Sequence, residues 1–277
     1  MKYESLHRRY KDQDKRKVFA HFPWKGDEGE TWEQSFRQLA DLAKKEDWNF
    51  STPTFKKNNQ EYPILTSYLN YTFLRLQDQE KIFFSHDGDK VCFNTGLQTS
   101  TEKDIFATFF RHKKAEEYDV PDWTLYGFFD SYSDKLKDFC PLPEVANYIN
   151  DPGDLVFNFD YAIDVNYDHI LEQNQDRLPE ILQQNSTVAI NAIQGAVSSL
   201  KERIRRNYKL AIPHWYENKI QLLLPLNITS DEKADLALVA DKDNDRKIYR
   251  IRTVLTMDMA YIDARLICRP DRDWLNP

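Results

Sequence analysis

The 277 residues suit one large domain or two small ones, and a hydrophobic fraction of 41% with 14% aromatics suffices for a real core. The net charge of −7 argues against a basic coat for bulk nucleic-acid binding, while leaving a local basic groove open. No apolar run approaches the ~20 residues of a membrane span, so no membrane partner is expected.

Met1–Lys17 is basic and polar and leads into the aromatic stretch Val18–Trp24. It reads as an arm that packs late or stays mobile, with contact to nucleic acid as the alternative. Lacking an apolar h-region, it is no signal peptide. Thr31-Trp-Glu-Gln34 is a capping-box pattern, and Trp32, Phe36, Leu39, Ala40 and Ala43 then recur at helical spacing. Trp48–Asn59 reads as a polar loop. Residues 1–60 therefore form an N-terminal arm and helix, and residues 61–277 the core domain. A second helix starts near Tyr62–Pro63 and carries Ile64, Leu65, Tyr68, Leu69, Thr72 and Leu76 on one face. Lys81–Thr95 reads as a hairpin turning at His86-Asp-Gly-Asp89. It leaves through the loop Phe93-Asn-Thr-Gly-Leu-Gln-Thr99, whose Asn94 and Gln98 either position a substrate or satisfy the turn's own backbone. Asp104–His112 and Thr124–Tyr132 are strand-like, with a charged loop between them. Pro141–Tyr148 reads as a short helix, and the core admits a division into two lobes meeting near 141–152.

From Leu155 an alternation begins. Leu155, Phe157, Phe159, Tyr161, Ile163, Val165 and Tyr167 share one parity, and Asp160, Ala162, Asp164, Asn166 and Asp168 the other. On a strand this makes one apolar face and one face of carboxylates with an amide, same-face neighbours lying roughly 7 Å apart. A cation could bridge them, whereas a solvated edge strand is the purely structural account. Asp168–Pro179 reads as an irregular connection, with Pro179 opening the longest helix. Ile190, Ile193, Val197, Leu200 and Ile204 mark that helix's buried face. It ends in Lys201, Arg203, Arg205 and Arg206, with Lys209 just beyond. Cations suit a helix C-terminus, but five of them exceed what the dipole requires, so an anion nearby is the functional reading. Three strands follow at Lys219–Leu226, Ala234–Val239 and Ile248–Leu255, with a charged turn at Asp241–Asp245. Met257–Ile267 reads as a helix carrying Asp258, Ile262 and Arg265 on one side. The fold class expected is α+β, a mainly antiparallel sheet with helices packed against it. No internal repeat is visible.

The seven glycines form neither G-x-G-x-x-G nor G-x-x-x-x-G-K-[ST], so neither an NAD site nor a P-loop nucleotide site is expected. Cys92, Cys140 and Cys268 lack C-x-x-C spacing and read as buried free thiols in a reducing cytoplasm.

Four stretches together resemble a known family. They are Phe93–Thr99, Ile163–Ile170, Arg205–Lys209 with Ile220–Pro225, and Met257–Tyr261 with Ala264–Ile267 and Arg269–Asp271. The family is a bacterial domain family of unknown function, some members of which are joined to cold-shock-type or LOTUS-type RNA-binding modules. The resemblance spans about residues 60–277. It implies a link to RNA or nucleotide biology by association, and it supplies no catalytic residues.

The function expected is an enzyme acting on phosphate groups of RNA or a nucleotide, by hydrolysis or transfer. Asp164, Asn166 and Asp168 would hold Mg²⁺ or Mn²⁺ through oxygen. Asp164, Asp168 and His169 would be catalytic, His169 as general acid or base. Arg205, Arg206, Lys209 and Arg265 would clamp phosphate oxygens, and Asn94 and Gln98 would position the substrate. One alternative is a non-catalytic RNA- or nucleotide-binding module that stacks bases on Tyr208, Trp215 and Tyr216. Another is a protein-interaction or toxin-like component.

Overall fold

The computed structural model describes residues 2–10, 12–23, 35–50, 61–230 and 233–269. The chain falls into two units, Met1–Phe50 with Lys57–Asn147, and Ser51–Lys56 with Tyr148–Pro277. Both are built from a mainly antiparallel sheet with helices on it, the α+β class expected. Among the described residues, no helix is long and apolar enough to cross a membrane.

The first unit runs β1 (Ala20–His21), α1 (Ser35–Leu42), α2 (Pro63–Asp78), β2 (Phe83–Phe84), β3 (Lys90–Gln98), β4 (Asp104–Arg111), α3 (Ala115–Tyr118) and β5 (Trp123–Asp130). Its strands lie in the order β1-β5-β4-β3-β2, antiparallel except for β1 beside β5. The apolar face expected of α2 is buried from Ile64 to Leu76. Phe19 packs on Phe73 at 4.7 Å, and Phe93 on Phe109 at 5.6 Å, so aromatic rings fill the space between helices and sheet.

Five expectations need correction here or fall outside the described residues. The N-terminal segment is not a loose arm. Leu6, Val18, Phe19, Ala20 and Phe22 are buried, and the Leu6 N–H donates to Asn70 Oδ1 at 2.9 Å. The apolar stretch from Val18 to Phe22, rather than the charges before it, decides its fate. The expected capping box at 31–34 lies outside the described residues. The stretch after Asn94 is no loop, because β3 continues to Gln98 through an irregular register. Gly96, at φ +75°, allows that irregularity. Pro141–Tyr148 lacks the expected helix and has no regular secondary structure. Pro143 biases Leu142 away from helix, and α2 takes up the backbone: Arg75 Nε donates to the Asn147 carbonyl at 2.8 Å, and the Asn147 N–H donates to Gln79 Oε1 at 2.9 Å. Of the cysteines, Cys92 is buried as expected, but Cys140 and Cys268 are exposed.

The second unit runs β6 (Ala162–Val165), α4 (Tyr167–Asn174), α5 (Glu180–Gln183), α6 (Ser186–Arg206), β7 (Ile212–Tyr216), β8 (Lys219–Leu226), β9 (Leu236–Asp243), β10 (Ile248–Leu255) and α7 (Met257–Arg265). Strand order is β6-β10-β9-β8-β7, again antiparallel except for the first strand beside the last. The two units thus share one topology that the sequence does not announce as a repeat. On the inner face Leu222, Leu224, Leu238, Ala240, Tyr249 and Ile251 meet Ile170 of α4 and Ile193, Leu200 and Ile204 of α6. Val197, expected in the core, is only partly buried.

The expected strand from Leu155 to Tyr167 shrinks to Ala162–Val165. Asn158 turns the chain, its Oδ1 accepting from the Asp160 N–H at 2.9 Å. The alternation still holds in burial: Phe157 is buried, and Phe159, Ile163 and Val165 pack on the inner core. Asp168–Pro179 is not irregular. Asn166 caps α4 by accepting from the His169 N–H at 3.0 Å. Pro179 precedes the short α5, and α6 has its own cap at Asn185. The sequence reading missed β7, whose Pro213 suits an edge strand. The charged turn starts later than expected, because β9 runs on to Asp243.

Candidate functional site

The ten residues singled out in the sequence are divided between the two units, and those of the second unit between the two sides of its sheet. Asn94 and Gln98 belong to the first unit, and both amides donate to Asp104, at 3.2 and 3.0 Å. Asn94 Oδ1 also accepts from the Gly96 N–H at 2.9 Å. These groups satisfy one another, as a turn does. In the second unit, Asp168 and His169 lie in the first turn of α4, where a carboxylate suits the helix dipole. Arg205 and Arg206 end α6 and both pair with Glu202 of the preceding turn. The Arg205 guanidinium also lies 5.3 Å from the Phe159 ring centroid. Lys209 sits in the following turn and is exposed. Helices α4 and α6 both cover the inner face of the sheet.

Asp164 lies on the other side. Ile163 and Val165 pack inward, so Asp164 shares the outer face with Arg250, directly opposite it on β10. Asn166 is occupied as the cap of α4. Among the described residues, no three His, Cys, Asp or Glu side chains gather as a metal cage would require. An ion held near Asp164 would complete its shell with water and ligand oxygen, as Mg²⁺ commonly does.

The outer face itself carries the most site-like arrangement in the unit. A polar row crosses all five strands. Asp164 faces Arg250, Arg250 faces Asp241, and Gln221 of β8 faces His214 of β7. Gln221 and Asp241 adjoin the paired Leu222 and Ala240, which closes the row. A cleft of about 200 Å³ opens here, lined by Gln221, Val239, Asp241, Arg250, Arg252 and Thr253. The register of β10 shifts between Ile251 and Thr253, a bulge that turns both Arg252 and Thr253 into the cleft. Asp241 accepts from Lys219 at 2.7 Å, and Arg250 pairs with Asp243. The Arg246 N–H, reinforced by Arg250, holds the Asp243 carboxyl below the usual carboxylate range. Arg252 is exposed, and its side chain forms no hydrogen bond or ion pair among the described residues.

Helix α7 packs against β7, β9 and β10 on this same side, bringing Asp263 to 3.9 Å from His214. Arg265, from the original set, lies on this helix and is partly buried. Asp164 and Arg265 therefore remain on the side of the cleft. Of the aromatics considered for stacking, Tyr208 and Tyr216 are exposed, while Trp215 packs edge-on against Tyr148 at 5.5 Å.

Sequence reasoning missed Gln221, Asp241, Arg250, Arg252, His214 and Asp263. The signal was present for two of them. In Ile-Tyr-Arg-Ile-Arg-Thr-Val-Leu, residues 248–255, Arg250 and Arg252 share the parity opposite to the apolar Tyr249 and Ile251. A strand with one apolar face must present both guanidiniums on the other.

Residues 39–274 match the family described as a domain of unknown function, DUF3825. That is most of the chain, and the chain belongs to this family. No curated protein and no solved structure matches it at a significant level.

Proposed function

We propose that this DUF3825 protein is an enzyme acting on phosphate groups of RNA or a nucleotide, with the outer face of its second sheet as the working surface. The observation that carries the reading is the cleft in which Arg250 and Arg252 stand together, Arg252 without a partner among the described residues. A guanidinium fork matches two phosphate oxygens, and a pair of forks selects a phosphate ester over a lone carboxylate. Gln221 and Thr253 add neutral donors on either side. Asp164, beside Arg250 in the same row, is the carboxylate that would share Mg²⁺ or Mn²⁺ with a bound phosphate. Such an ion would stabilise charge on the phosphoryl oxygens. The resemblance to bacterial proteins joined to cold-shock-type or LOTUS-type modules supports RNA among the possible phosphate esters, and a cytoplasmic setting with it.

The test is a binding and turnover screen with nucleotides and short RNA oligomers, with and without Mg²⁺ or Mn²⁺. Arg252→Ala is expected to weaken binding about tenfold or more, with a shallower salt dependence. Asp164→Asn is expected to remove turnover and leave folding unchanged. Full binding and turnover in both variants would eliminate this face.

One observation favours a binding module without catalysis. On the first sheet Phe110 and Tyr126 are exposed, and Lys135 lies 5.5 Å from the Tyr126 ring centroid. Aromatic rings beside cations stack bases without reading sequence. Binding that survives Arg252→Ala and is lost in Tyr126→Ala would select this reading.

A further inference from the structure

His214 is 2% exposed, and neither ring nitrogen has a hydrogen-bond partner among the described residues. Buried polar side chains are nearly always satisfied, and an orphaned one costs about 1–3 kcal/mol. Both nitrogens of one imidazole left open is a feature that packing alone does not favour. The group nearest to relieving it is Asp263, whose Oδ2 lies 3.9 Å from Nδ1. A movement of about 1 Å brings that pair within hydrogen-bond distance.

The surroundings restrict what else could act on the ring. On β8, Lys219 is already paired with Asp241. On β7, Tyr216 follows two residues on and is exposed. On α7, Asp258 and Arg265 have interactions of their own. His214 and Asp263 are therefore left to each other. Burial holds the Asp263 carboxyl up at about 7 and pushes the His214 imidazole down to about 4. Near neutrality the pair then holds an uncharged ring beside a carboxyl that is half protonated.

We propose that His214 and Asp263 form a proton-sharing dyad that supplies acid–base capacity to the outer face of the second sheet. With the carboxyl protonated, its O–H donates to Nδ1, and the ring keeps its own hydrogen on Nε2. Transfer of that one proton from Oδ2 to Nδ1 leaves a carboxylate beside an imidazolium, and the total charge is unchanged. Nε2 is buried, so the proton leaves and returns through the Asp263 carboxyl, which is partly exposed where the ring is not. Gln221, directly opposite His214, itself lines the cleft beside the arginines. The role in chemistry rests on the phosphate reading above, whereas proton sharing does not.

The decisive experiment is a pH titration of the full chain by NMR, with ¹⁵N-labelled histidine and ¹³C-labelled aspartate carboxyls and no ligand. The Asp263 carboxyl is expected to titrate near pH 7, with a simultaneous step in the His214 nitrogen shifts. In Asp263→Asn that step should vanish, the ring staying neutral to well below pH 6. An ordinary His214 titration near 6.5, the same in both proteins, would overturn the dyad. If Asp263→Asn does not fold, the carboxyl signal of the unaltered protein decides by itself. Once a substrate is known, Asp263→Asn should displace the neutral limb of the kcat profile. An unchanged profile alongside an intact NMR step would refute service to the cleft while leaving the phosphate reading standing.

Discussion

Leu200→Ala tests the packing that fixes the second sheet. Leu200 is fully buried on α6, among Ile193, Ile204, Leu222 and Leu224. The substitution removes three carbons, and at about 0.8 kcal/mol per buried methylene the transfer loss is about 2.4 kcal/mol. The sheet beneath and the helix above leave little room for collapse. A residual cavity therefore adds its own penalty, giving a total of about 3–5 kcal/mol. Val197→Ala, on the partly buried side of the same helix, is the internal control and should cost under about 1.5 kcal/mol. Because the chain has two units, a global melt would blur the effect. Native-state hydrogen exchange of the amides of β8 and β9 reads the second unit directly. The slowest of these should lose protection in Leu200→Ala by the full amount. A loss below about 1 kcal/mol would show that α6 does not seat on the sheet through this residue.

Three other outcomes follow from local geometry. Asn166→Ala should destabilise α4 by about 1 kcal/mol in urea unfolding, whereas Asn166→Asp should restore most of it; equal losses would refute the cap. Gly96→Ala meets a φ of +75° and places a Cβ 2.6 Å from Tyr68 Oη, so it should cost at least about 1–2 kcal/mol by thermal melt. Tyr68→Phe itself loses the Oη donation to the Thr95 carbonyl at 3.1 Å, so the comparison is made within that background: there Gly96→Ala should cost less, and an equal cost would assign the whole loss to the backbone. For pH, the signs oppose. The raised Asp263 makes the folded state bind more protons than the unfolded one, so its contribution falls as pH rises from about 4 to about 7. The lowered His214 makes the unfolded state bind more, so its contribution is lost as pH falls from 6.5 to about 4. In the unaltered chain this pair should therefore add little slope to urea midpoints against pH, while the buried His7 of the first unit, pushed down to about 4, adds its own loss on acidification. Relative to the unaltered chain, midpoints should fall more steeply on acidification in Asp263→Asn, and should fall on alkalinisation in His214→Gln. Parallel profiles in all three would contradict the burial argument.

Periodicity carried most of the fold. The face of α2, the strand at Ile248–Leu255 and the core side of α6 each follow from one repeat distance read along the chain. The misses came from residues with two uses. Asn158 and Asn166 fit an alternating strand by parity, yet one makes a turn and the other caps a helix, because a short amide competes for backbone groups. The site was harder for a different reason. Charge density drew the eye to Arg203–Arg206, where Glu202 already answers two of the cations. Arg252 stands alone in sequence and shares its cleft only because strands bring β8, β9 and β10 together. Pairing of strands distant in the chain leaves no local trace. Asp263 and His214, far apart in the chain and 3.9 Å apart in space, are the extreme case.

The placement of the first strand of each unit next to its last has a consequence for synthesis. Residues 162–165 find their neighbours only when 248–251 have been made. At ribosomal rates of about 5–20 residues per second, that wait is on the order of ten seconds. Throughout it the growing sheet has an unpaired flank, first on β8 until β9 is made and then on β9 until β10 arrives. A nascent chain stalled before Ile248 would offer that flank to any passing strand. The second unit is thus most vulnerable to misassociation during its own translation, and release from that hazard comes with a single eight-residue strand, β10, that also delivers both cleft arginines.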